Sequence, residues 1–239
     1  MPNSFSHIFA RHARAAALPA TRHSPAIPAM QEETVERVAA LVLGENDEKR
    51  LRKFLRRLTA DPFVQPNRRN PRLVDMVLAR VATRDWGGAL DLASSFWRFD
   101  LFVYLAPYMT RDEHREQLAQ IWPSCDISSW RWKLVALTYL RQVGYIGDLP
   151  RPDTELLVYR GVYNPRHRLG LSWSTNIKTA RHFVRPHGPR RHRPVFVYSA
   201  VAPPDAFLGG FGVRDEAEYI VHPSLLTDVK QVEGIPPEL

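Results

Sequence analysis

Leu171-Ser172-Trp173-Ser174-Thr175-Asn176, followed by Lys178-Thr179-Ala180-Arg181-His182-Phe183-Val184, reads as a strand that ends in hydroxyls and runs straight into a short helix. Thr175 or Asn176 would cap that helix, because a short polar side chain there accepts a hydrogen bond from a first-turn N–H. Runs rich in Val, Tyr and Phe flank it, at Leu156 to Tyr159, Val195 to Val201 and Tyr219 to Val221, with turn residues between them. Short β-branched and aromatic runs separated by such breakers predict a small strand-dominated unit. The cluster Asp148, Pro150, Pro152 and Asp153 marks the seam before it.

Upstream the pattern is helical. Val35, Val38, Ala39, Leu41 and Val42 repeat at helical spacing, and Leu51, Phe54, Leu55 and Leu58 mark a second helix. Further helices are expected at about 71–83, 86–96, 111–121 and 127–142, with Thr110 and Glu113 forming a capping box. Trp86, Trp97, Trp122, Trp130 and Trp132 read as core aromatics of this helical part. Residues 1–30, acid-free and holding Pro19, Pro25 and Pro28, read as a disordered tail. The expected organisation is therefore α+β: a tail over 1–30, a helical domain over 31–150, and a compact split β-sheet unit over 151–239.

Composition narrows the function classes. No apolar run approaches the roughly 20 residues that span a bilayer, so an integral membrane protein is not expected. Cys125 is the single cysteine, which removes an internal disulfide framework and suits synthesis in a reducing compartment such as the cytoplasm, with action in a host cell left open. Cys125 itself reads as buried helix packing. The nine histidines lack metal-ligand spacing, so no metal is expected. The net charge of +8 divides as +3 over 1–30, +2 over 31–150 and +3 over 151–239, too even to mark a nucleic-acid binder. The run from Lys49 to Arg57 reads as a solvated helix face. The basic stretch Arg185 to Arg193 reads as a solvated loop, with an acidic partner or a nucleic-acid backbone as the functional alternative.

Chemistry concentrates in three motifs of the C-terminal unit. Val158-Tyr159-Arg160-Gly161 ends one strand, Trp173-Ser174-Thr175-Asn176 ends the next, and Asp215-Glu216-Ala217-Glu218 opens a third. Singly, each suits a surface arginine, a helix cap and a solvated carboxylate pair. In that order, over about residues 155–225, they resemble the catalytic core of the ADP-ribosyltransferase family in its arginine–serine–glutamate branch. The resemblance implies a split β core with NAD+ bound between its halves, cleavage of NAD+ at the nicotinamide–ribose bond, and transfer of ADP-ribose to a protein arginine.

The same resemblance assigns roles. Glu218 matches the catalytic glutamate, whose carboxylate would face the positive charge growing on the ribose. Arg160 matches the arginine that grips the dinucleotide, Gly161 would let the backbone approach the nicotinamide carboxamide, and Ser174 would orient Glu218. Thr175 completes the nucleotide-side set. Glu216, two residues before Glu218, matches the acceptor-recognising position, where a carboxylate pairs with an arginine guanidinium. Two departures stand out: Asn176 replaces the third hydroxyl, and only 58 positions separate Arg160 from Glu218. Gly209-Gly210-Phe211-Gly212 is expected as a mobile acceptor-side loop, with Phe211 as either an acceptor contact or a packing anchor. The alternatives kept open are an NAD+ glycohydrolase and an inactive transferase-like binding module.

Overall fold

The computed structural model describes residues 43–60, 72–125, 130–184, 194–212 and 217–235. The chain divides into two compact units, Met1–Ile127 and Ser128–Leu239. The seam expected near 150 thus falls inside the second unit, which also takes the last long helix. Together the elements make an α+β protein with seven α-helices and a seven-stranded mixed sheet among the described residues.

The first unit is helical: α1 (Glu45–Ala60), α2 (Leu73–Ala82), α3 (Trp86–Asp91), α4 (Arg98–Leu105) and α5 (Arg111–Ile121). Leu51 and Leu55 of α1, at helical spacing, are almost fully buried, while Lys49, Arg50, Lys53 and Arg56 are exposed, so the basic run is a solvated face. Arg52 on its flank pairs with Glu48 at 2.8 Å and Asp75 at 3.2 Å. The helix expected over 86–96 is shorter, ending at Asp91. Asp85 caps it, accepting from the Gly88 N–H at 2.9 Å, and the chain turns over 92–97 before α4. Burial of Phe99, Leu101, Phe102, Val103 and Leu105 makes α4 apolar on nearly every side. That removes the one-sided period by which a surface helix is recognised.

The Thr110 capping box forms as expected: Thr110 Oγ1 accepts from the Glu113 N–H, and the Glu113 carboxylate accepts from the Thr110 N–H. Glu113 also accepts from the Trp86 indole at 3.0 Å and faces Arg84 at 3.4 Å. Burial alone would raise its pKa, but the Thr110 backbone, the Trp86 and Thr110 side chains and Arg84 together hold it below its ordinary value. Trp86 and Trp122 are buried, whereas Trp97 is half-buried with an indole N–H that lacks a partner among the described residues. Cys125 is half-buried after a 3-10 turn, not buried within a helix.

The second unit begins with α6 (Trp130–Val143) and contains α7 (Ile177–Phe183) and strands β1 (Ile146–Gly147), β2 (Leu156–Val162), β3 (Ser172–Ser174), β4 (Val195–Ala202), β5 (Phe207–Phe211), β6 (Glu218–Val221) and β7 (Thr227–Ile235). Their order is β1-β5-β6-β3-β2-β4-β7, antiparallel except for β1 on β5. Val158, Val162, Trp173, Tyr198, Phe207, Tyr219 and Val221 form its core. At their low exposure each apolar side chain of this kind contributes about 1.5–3 kcal/mol of burial.

Three strands differ from expectation. The Gly209–Gly212 loop is instead largely β5, with Gly209, Gly210 and Phe211 all buried. Its glycines serve close packing: a Cβ on Gly210 would stand 2.4 Å from the Tyr145 hydroxyl, and one on Gly209 2.8 Å from the Ile146 side chain. Phe211 is thus a packing residue. β1 is too short to leave a pattern. β7 is an edge strand, exposed at most of its described positions and broken by register shifts against β4, so alternation is faint.

Candidate active site

Residues 156–162 form a strand around Val158, Tyr159 and Val162, types that favour the extended chain, with Val158 and Val162 turned into the core. β2 pairs with β4 along its whole length, from Leu156↔Ala202 to Val162↔Phe196. On its other side it pairs with β3 at one position, Tyr159↔Ser174. β3 pairs in turn with β6 at Ser172↔Ile220, Trp173↔Tyr219 and Ser174↔Glu218. One row therefore crosses the sheet as Phe211, Glu218, Ser174, Tyr159 and Ser199. Residues directly opposite in antiparallel strands share a face. Ser174 and Glu218 are thereby neighbours, although 44 positions separate them in the chain.

Arg160 belongs by alternation to the opposite face, with Val158 and Val162. Its guanidinium fills the gap where β2 and β3 part. The Leu171 carbonyl accepts from the Val221 N–H at 2.8 Å, so the next carbonyl, that of Ser172, faces β2. No β2 ladder reaches it, and Arg160 Nη1 donates to it instead at 2.5 Å, while Nε donates to the His167 carbonyl at 3.2 Å. Burial pulls the Arg160 pKa down to about 10, and the Glu218 carboxylate opposes that fall. The group remains a cation near neutrality, with Glu218 close enough for the two charges to interact.

Gly170 completes the arrangement. A Cβ there would stand 2.1 Å from Arg160 Cζ, so only glycine leaves room for the guanidinium. The Gly170 carbonyl also accepts from the buried Trp173 indole at 2.9 Å, which fixes the loop from the core side.

Ser174 is buried at 3 % exposure, and its Oγ accepts from the Asn176 N–H at 3.0 Å. Asn176 caps α7, accepting from the Lys178 N–H at 2.9 Å. Asn176, where the resemblance has a third hydroxyl, is thus the helix cap. Thr175 is half-buried between strand and helix. Packing requires glycine at 161: a Cβ would meet the Ala180 carbonyl oxygen at 2.1 Å, so α7 packs directly on the β2 backbone. Glu218 is half-buried at the start of β6, directly after Ala217, whose φ of +41° lies in the left-handed region that non-glycine residues avoid. Glu216 and the basic stretch 185–193 lie outside the described residues.

Sequence reasoning missed Gly170, the His167 carbonyl and the Ala217 backbone. No motif signals the first two, since one is defined by a missing atom and the other by a main-chain group. Glycine, asparagine or aspartate is the usual signal of a left-handed backbone, and alanine at 217 conceals it. Among the described residues no group of three or more His, Cys, Asp or Glu side chains is placed to hold a metal ion. No described helix is long and apolar enough to cross a membrane. No family model matches the chain, and neither curated proteins nor solved structures supply a similar one.

Proposed function

We propose that the second unit is a mono-ADP-ribosyltransferase that takes NAD+ as substrate and modifies arginine on a protein. The observation that carries this reading is the Tyr159–Ser174–Glu218 row, with the Arg160 cation within electrostatic reach of Glu218. These are the residues by which the sequence resembles the family, and they meet across three adjacent strands.

In this reaction the bond from ribose C1′ to the nicotinamide nitrogen breaks, and nicotinamide leaves as a neutral molecule. Positive charge grows on the ribose as it does. A fixed carboxylate at that point stabilises the transition state more than the ground state. Glu218 is the group assigned to this role, and Ser174, held by Asn176 from the far side, keeps it oriented. A guanidine nitrogen of the acceptor then forms the new bond to C1′ and loses one proton, for which Glu216 is the assigned base. Arg160 holds β3 through the Ser172 carbonyl, and its guanidinium is the group that the resemblance assigns to a dinucleotide phosphate.

The test is incubation of the full chain with NAD+ and a guanidino acceptor, with nicotinamide release and adduct mass measured together. Glu218→Gln should lower both by about a hundredfold or more. Glu216→Ala should abolish the adduct while nicotinamide release continues. Nicotinamide release unaffected by Glu218→Gln would overturn the proposal. Full release with water as the only acceptor would favour a glycohydrolase.

A further inference from the structure

Gly147 brings the end of β1 against β5 more closely than a side chain permits. Its φ is +99°, and a Cβ there would overlap the Gly210 carbonyl oxygen. That carbonyl accepts from the Asp148 and Leu149 N–H groups at 3.0 and 3.1 Å. The Tyr145 hydroxyl donates to the Pro150 carbonyl at 3.2 Å, which closes residues 145–150 on themselves. This turn sets the Asp148 carboxylate beside the exit of β5. Asp148 Oδ1 accepts from the Gly212 N–H at 2.9 Å, and a Cβ on Gly212 would press on the Leu149 side chain at 3.2 Å.

The Asp148 bond lies outside the sheet ladder. The last pair of β5 with β6 is Phe211↔Glu218, and Gly212 is the residue after it. The other limb resumes at Ala217, whose left-handed φ of +41° sets the chain's entry into β6. By sequence, Val213, Arg214, Asp215 and Glu216 join these two ends. A carboxylate thus fixes the chain before Glu216, and a special backbone conformation fixes it after. Glu218 is held independently, by its pairing with Ser174 on β3.

We infer that Asp148 is a positioning residue for acceptor use: its carboxylate fixes where the chain leaves β5 toward Glu216, and so sets how ADP-ribose divides between a guanidine and water. The inference rests on the transferase reading and extends it to a residue outside the Arg160, Ser174 and Glu218 set. When the bond from C1′ to nicotinamide breaks, its electron pair leaves with nicotinamide. Either a guanidine nitrogen or a water oxygen then forms the new bond to C1′, and each loses one proton. Holding a reacting group in its productive geometry favours the positioned acceptor over the unpositioned one. Freeing Gly212 should therefore shift the product from adduct to free ADP-ribose, while the Glu218 step that releases nicotinamide continues.

The test compares Asp148→Ala, Asp148→Asn and the unaltered full chain. An asparagine side-chain oxygen still accepts from the Gly212 N–H but carries no charge, which separates a brace from attraction of a cationic acceptor. Amide exchange at Gly212 is read by NMR, with the Leu149 N–H as internal reference. It should quicken about tenfold in Asp148→Ala and change less than about twofold in Asp148→Asn. With NAD+ and ethylguanidine, the adduct formed per nicotinamide released should fall about tenfold in Asp148→Ala and hold in Asp148→Asn. Unchanged Gly212 exchange or an unchanged adduct share in Asp148→Ala would overturn the inference. So would an adduct share in Asp148→Asn as low as that of the alanine variant. Asp148→Ser, polar but one bond short of Gly212, repeats the comparison should the alanine variant not fold. The exchange arm needs no NAD+: an unaltered chain that releases no nicotinamide would sink the transferase reading, while the Gly212 rates still decide the brace.

Discussion

Gly170→Ala should unlatch Arg160. The new Cβ would sit 2.1 Å from Cζ and 2.2 Å from Nη2, against a comfortable separation of about 3.5–4.0 Å. The guanidinium must therefore retreat by roughly 1.5 Å or more, and its bonds to the Ser172 and His167 carbonyls cannot both survive. Hydrogen bonds from a charged donor are each worth about 1.5–3 kcal/mol, and a displaced arginine recovers part of that from water. The expected net loss is about 1.5 kcal/mol in the free energy of unfolding, read by urea denaturation of the full chain. The decisive comparison is a double-mutant cycle. In an Arg160→Ala background the clash has no partner, so Gly170→Ala should cost less than about 0.5 kcal/mol. Equal cost in both backgrounds would refute the latch. Gly161→Ala serves as the contrast: its Cβ would strike the Ala180 backbone, and removal of Arg160 should not relieve that loss.

Other expectations follow from single contacts. Asn176→Ala removes the cap of α7 and should cost about 1 kcal/mol in unfolding free energy. Ala217→Gly relieves the positive φ before Glu218 and should raise stability by up to about 1 kcal/mol, seen as a higher urea midpoint. Burial lowers the pKa of His114 below its ordinary 6.5, so the unfolded chain takes up that proton first as pH falls. The stability this contributes is complete above pH 6.5 and declines below it, and Glu113 adds a second loss as pH falls below its ordinary 4.5. The decline that begins near 6.5 should shrink in His114→Gln to the part left by His222, whose pKa burial and Arg141 also lower, while the lower one persists.

The parts of this fold that were legible in the sequence are those where one residue type has one physical use. Thr110 and Glu113 could be paired from their spacing alone, because a capping box is closed within one turn. β2, β4 and the strand halves of β3 and β6 announced themselves through buried β-branched and aromatic residues. β5 was misread because glycine is ambiguous: the same residue that frees a loop also admits a neighbouring backbone, and only Ile146 and Tyr145, more than 60 positions away, decide between them. The meeting of Ser174 with Glu218 was implied by resemblance, but the latch at Gly170 depends on a void, which no spacing encodes. The left-handed backbone at Ala217 was likewise silent.

The single pair between β2 and β3 has a mechanical consequence. The sheet shears at that seam more easily than anywhere else, since β1, β5, β6 and β3 share several pairs on one side and β2, β4 and β7 share many on the other. Arg160 rides on one half, and Ser174 with Glu218 on the other. Their alignment is therefore a joint property of two plates held by Tyr159, one guanidinium and α7, which continues from β3 and packs on the β2 backbone. Substitutions far out on β4 or β7, touching none of these side chains, should slide one plate and detune the trio from a distance.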